Sequence, residues 1–182
     1  MAESLAGRLL LASPTLLDPN FQRTVVLIGV HNEDGAMGVV LNRPSEVAVA
    51  EAVPALEAAV GELEALYVGG PVQPSSIVVL GEFRDPGDAG LLVLGRIGFP
   101  SPDAAMEDLA QRTARGRVYA GYAGWGQGQL DAELAGGDWI IDHATPQDVF
   151  CESPGELWAR VLVRKGGSYA LLARMPLDPS VN

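Results

Sequence analysis

Cysteine is nearly missing from these 182 residues: Cys151 stands alone, which excludes an internal disulfide and fits a reducing compartment. Basic residues are scarce as well. Lys165 is the single lysine, and 12 Lys+Arg face 23 Asp+Glu for a formal net charge of -11. Such a balance repels phosphate backbones and disfavours direct nucleic-acid binding. The basic groups at 112, 115 and 117 and at 160, 164 and 165 read as solvated helix faces or ends and offer no compensating patch. No apolar run reaches spanning length, and the N-terminus lacks the basic start of a secretion signal, so a soluble cytoplasmic protein with no membrane partner is expected.

Catalytic signatures are absent too. There is no Cys-x-x-Cys, His-Glu-x-x-His, Gly-x-Ser-x-Gly or Ser-x-x-Lys. His31 and His143 are the only histidines, and with Cys151 they lack the spacing of a zinc site, so no metal and no cofactor is expected. Cys151 lies two residues before a predicted helix start, where a thiolate is favoured. A small, partly buried loop residue accounts for it more simply.

What the chain does have is glycine, 22 in all, used most densely over residues 117–139. Val118, Ala120 and Tyr122 alternate with Tyr119, Gly121 and Ala123, the pattern of a strand between two packed faces. A glycine loop at 124–129 follows, carrying Gly124, Trp125, Gly126, Gly128 and Gln129. A helix starts near Gln129 and stops at Gly136 and Gly137. Backbone N–H groups at such a corner suit an anion. The dinucleotide fingerprint fails, however, because Gln129 or Asp131 falls where its last glycine belongs, and no Gly-Lys-Ser/Thr follows. A tight strand-to-helix turn with Trp125 in the core is the leading interpretation, and a ligand loop the alternative.

Taken in order, strands are expected at 8–13, 24–30 and 36–41, the last two joined by the polar turn 31–35. Residues 47–63 are rich in Ala and Glu and predict a helix divided at Pro54. Short strands at 66–68, 77–80 and 91–94 come next, with a polar loop at 81–90. Ser101 and Pro102 predict a helix start, with Met106, Leu109 and Ala110 inward and Gly116 as its stop. Strand pattern returns at 138–141. Thr145 to Asp148 forms a capping box, Ser153 to Glu156 repeats it, and Leu157, Trp158, Val161 and Leu162 stripe the last long helix. Residues 169–175 read as a final strand and 176–182 as a tail.

Arg23, Asn42 and Arg43 sit at strand ends, where side chains converge. Their arginines suit a carboxylate or phosphate, or equally a structural bridge to Asp18 or Asp178.

Blocks spread along the chain resemble the YqgE/AlgH family of bacterial proteins. They are Leu11-Ala12-x-Pro14, Asp18-Pro19-x-Phe21-x-Arg23-Thr24-Val25, the His31 turn, GVVLNRP from Gly38 to Pro44, Gly69-Gly70-Pro71-Val72, Gly121-Tyr122-Ala123-Gly124-Trp125 with Gly128-Gln129-Leu130, and the ending Asp178-Pro179-Ser180-x-Asn182. Leu80-Gly81 departs from the Leu-His of many members. The resemblance implies an α+β fold: a mixed, largely antiparallel, bifurcated sheet bent toward a pseudo-barrel, with flanking helices and a smaller α/β lobe. It implies one domain over 1–182, with a small lobe around 45–115, and members labelled transcriptional regulators, but no catalytic residues. The expected function is a non-enzymatic binding or regulatory protein acting through protein or small-ligand contacts. The alternative is an enzyme or sensor that holds a small anion at the 124–129 loop.

Overall fold

Three apolar runs near the N-terminus divide their side chains between two cores. The computed structural model describes residues 3–177 and places these runs in β1 (Arg8–Ala12), β2 (Val25–Asn32) and β3 (Gly35–Val40). Leu9, Leu11, Val25, Leu27 and Val39 enter one core, while Leu10, Ala12, Val26, Ile28 and Val40 enter another. The runs lack polar alternation because both faces of the sheet are covered. Each fully buried Val, Leu or Ile side chain contributes about 1.5–3 kcal/mol.

Next come β4 (Pro44–Ala48), α1 (Val49–Ala52), a tighter turn at Pro54–Leu56, and α2 (Glu57–Val60), so the predicted 47–63 helix exists as short turns broken at Pro54. They are followed by β5 (Ala65–Val68), β6 (Val72–Phe83), β7 (Ala89–Leu94), β8 (Ile97–Pro100), α3 (Leu109–Arg112) and β9 (Thr113–Trp125). The chain continues through α4 (Gln129–Ala135), β10 (Trp139–His143), α5 (Pro146–Val149), α6 (Pro154–Lys165) and α7 (Ser168–Leu172). The sheet runs β10-β1-β2-β3-β9-β6-β8-β7, with antiparallel neighbours throughout. At β9 it forks: β3 pairs with residues 123–125, and β5 lies parallel to Tyr119 and Ala120 on the same edge. The result is the expected α+β fold with a curled, bifurcated sheet.

The alternation predicted along β9 is interrupted at Gly121. Tyr119 and Tyr122, an odd and an even position, both reach the core beneath α6, whereas Ala123 and Trp125 enter the opposite one. Gly121 has φ +71, and a Cβ there would stand 2.6 Å from the Gly70 carbonyl oxygen. The kink therefore needs glycine both for its backbone and for the close approach of a neighbouring chain.

Several expectations are corrected. Residues 169–175 are not a strand; α7 packs Tyr169, Leu172 and Ala173 against the core at helical spacing, and a short apolar run does not reveal its period. No helix begins at Pro102. The chain leaves β8, turns, and becomes helical only at Met106, with Leu109 buried and Met106 exposed. Gly116 lies inside β9, which starts at Thr113 because residues 113–117 pair with β6. That pairing also carries β6 through Gly81 to Phe83, into what reads as loop. Thr145 and Asp148 do form a capping box, but the Ser153 side chain makes no cap bond.

Candidate functional site

The glycine corner is closed by its own side chains. Trp125, at the end of β9, donates its indole N–H to Glu133 Oε2 at 2.9 Å, and Trp139 donates to the same oxygen at 2.8 Å. Gln129 Nε2 donates to Glu133 Oε1 at 3.0 Å, while Gln129 Oε1 accepts the Gly126 N–H at 3.0 Å. Phe21 stacks on Trp125 and meets Trp139 edge-on. Gly124 pairs with Met37 inside the sheet, and Gly128 takes the left-handed cap of α4. Trp125 and Gln129 are tied to the Glu133 carboxylate and the Gly126 N–H to Gln129, so the polar groups of the corner are engaged with one another.

Arg23, Asn42 and Arg43 also converge, and they hold main chain. Arg43 donates to the carbonyls of Asn20 (2.7 Å) and Gln22 (3.0 Å). Asn42 accepts the Val25 N–H and donates to the Arg23 carbonyl. Arg23, at φ 55, donates to the Met175 carbonyl and lies 4.5 Å over the Trp158 ring. Partial burial pulls both guanidiniums below their ordinary pKa, and Asp18 pulls Arg43 back up. Both remain cations. The bridge to Asp18 gives way to carbonyl contacts, and Asp178 lies outside the described residues. Arg43 borders a cavity of about 320 Å³ whose other walls include Val40, Val68, Pro71 and Pro74, with both terminal nitrogens already engaged.

His31, His143 and Cys151 stay apart. The Nδ1 of His31 accepts the Leu5 N–H, Nδ1 of His143 meets Arg8, and Cys151 meets Arg160. Among the described residues, no cluster of three His, Cys, Asp or Glu side chains could hold a metal ion.

A second convergence escapes the sequence. Arg115 and Arg117, two apart on β9, share a side of the strand, and α6 brings Arg160 to the same loop, 150–152. Arg117 is not solvated but 7% exposed. It donates to the carbonyls of Val149 and Cys151, pairs with Glu64 at 3.1 Å and lies over the Tyr67 ring, while its Nε has no partner among the described residues. Arg115 lies 4.4 Å over Phe150 and is fixed through Nε to Glu82. Arg115 and Arg160, with Gln147, Glu152 and Ser153, line a cleft of about 320 Å³ that reaches Cys151. The available signal was the Arg-x-Arg spacing, which places two side chains together only if the segment is a strand; the predicted helix concealed it.

Comparison with known proteins places this architecture. The AlgH-like family model matches residues 9–170. The chain belongs to the AlgH-like family. Among its AlgH-like relatives, a UPF0301 protein of Streptomyces avermitilis is 43% identical over 187 residues, covering 98% of this chain and 96% of that one. A UPF0301 protein of Mycobacteroides abscessus is 42% identical, covering 97% and 88%. The AlgH-like fold is also seen in a crystal structure from Corynebacterium diphtheriae, with TM-score 0.85 and 30% identity over 94% of this chain and 93% of that one. The solution structure of the AlgH protein from Pseudomonas aeruginosa has TM-score 0.71 and 32% identity, covering 97% and 96%. Among the described residues of this AlgH-like chain, no helix is long and apolar enough to cross a membrane.

Proposed function

We propose that this protein is a non-enzymatic binding protein with a regulatory role, acting through a small ligand or a protein partner inside the cell. The supporting observation is how its polar side chains are used. Arg23, Asn42 and Arg43 are committed to main-chain groups, and Gln129 and Trp125 to Glu133. Cys151 meets an arginine, with neither histidine beside it. Nucleophilic catalysis needs a nucleophile within hydrogen-bond reach of a base, and general acid–base work needs a group free to exchange protons. These residues instead hold the fold, and the cleft lined by Arg115 and Arg160 offers hydrogen-bond donors that suit binding.

The test is incubation of the purified protein with a bacterial metabolite extract, followed by gel filtration and mass spectrometry. A compound carried through the column chemically unchanged supports binding. Time-dependent conversion of any extract component, lost on heat denaturation, would sink the reading. An enzyme or sensor at the 124–129 corner draws no comparable support, since Trp125, Gln129 and the Gly126 N–H there are already engaged in hydrogen bonds within the corner.

A further inference from the structure

We propose that the cleft between β9 and α6 receives the phosphate group of a small phosphomonoester, held by Arg115 and Arg160 with help from Ser153 and Gln147. The inference rests on the reading of the protein as a binding module and adds the chemical class of its ligand. Four side chains with hydrogen-bond donors line one cleft of about 320 Å³, within the range of small-ligand sites. A phosphomonoester presents three acceptor oxygens and close to two negative charges, so it takes several donors at once, and planar guanidiniums suit it best.

The arginines are arranged for this. Glu82 takes the Nε of Arg115 and the Phe150 ring lies against its guanidinium, so the head group is oriented while its two terminal nitrogens have no partner among the described residues. Arg160 spends one nitrogen on Cys151. On a chain of formal charge -11, two arginines share the concave wall of this cleft. Glu152, also on that wall, opposes the anion and limits affinity.

Calorimetric titration of the full chain with inorganic phosphate, glucose 6-phosphate and succinate tests the proposal. Inorganic phosphate should bind weakly, glucose 6-phosphate more tightly, and succinate more weakly than either. Arg160→Gln and Arg115→Gln should each weaken glucose 6-phosphate about tenfold, the loss expected for one charge-assisted contact. Gln147 and Glu152 are exposed, so their variants separate charge from folding. Gln147→Glu should weaken binding about tenfold and Glu152→Gln should tighten it severalfold. Silence toward both phosphates, succinate binding as tightly as the phosphates, or affinity unmoved by Gln147→Glu and Arg160→Gln would overturn the cleft assignment. None of these results touches the broader binding reading, which conversion of an extract component alone would remove.

Discussion

Glu133 does at the glycine corner what the glycines alone do not. One carboxylate oxygen accepts both indole N–H groups, so Trp125 and Trp139 are held edge to face with ring centroids 5.9 Å apart. Removing it leaves two partly buried donors without a protein partner. Glu133→Ala is expected to cost about 2–3 kcal/mol in urea denaturation. A loss below about 0.5 kcal/mol would mean that water satisfies the indoles equally well. Tyr119 is the opposite case. It is fully buried, and its hydroxyl has no partner among the described residues. Tyr119→Phe should therefore stabilise the protein by about 1–2 kcal/mol. Burial, partly offset by Arg117, raises the pKa of both Tyr119 and Tyr67 above the ordinary 10.0. A raised folded-state pKa contributes its stability below pH 10.0 and loses it as pH rises further, because only the unfolded phenols ionise freely. Stability should fall above pH 10.0, and Tyr119→Phe should flatten that fall when unfolding is followed from pH 9 to 12.

At the scale of elements, β9 organises the sheet, and the Gly121 kink decides which core its aromatic side chains enter. Gly121→Ala meets both a left-handed φ and the Gly70 carbonyl, so a loss of at least about 3 kcal/mol is expected. Gly126→Ala is the control. It is exposed and its added Cβ would meet nothing closer than Gln129 Oε1 at 3.9 Å, so a change within about 0.5 kcal/mol is expected. Equal losses at both positions, measured by thermal or urea unfolding, would contradict this division of labour. The sequence announced the β1–β2–β3 runs because burial on both faces makes them continuously apolar, and the Leu157, Trp158, Val161, Leu162 stripe because burial there follows the helical period. It misassigned 169–175 and 113–116. In the first, helical packing against the core decides between two patterns that a short apolar run fits equally; in the second, pairing with β6 overrides local preference. The same override hid the convergence of Arg115 and Arg117 on Phe150 and Cys151, since the two arginines share a side only in a strand.

Across the whole molecule, a formal charge of -11 acts as self-repulsion. Raising sodium chloride from about 0.01 M to 0.15 M shortens the Debye length from about 30 Å to 8 Å and is expected to raise the thermal midpoint. A falling midpoint would show that exposed pairs such as Arg115–Glu82 and Arg112–Asp88 outweigh the repulsion. The same charge predicts no complex with duplex DNA in electrophoresis at physiological salt, and a nanomolar sequence-specific complex would contradict it. The sequence by itself determined the apolar strands and the net negative charge, which follow from near-neighbour spacing and composition, while its motif blocks carried the resemblance that implied the family and its α+β class. Only the tertiary structure decided which polar groups are free. Hydrogen-bond partners such as Glu133 for two indoles, or Asn20 and Gln22 for Arg43, are fixed by how separate segments pack, and no local pattern records that choice.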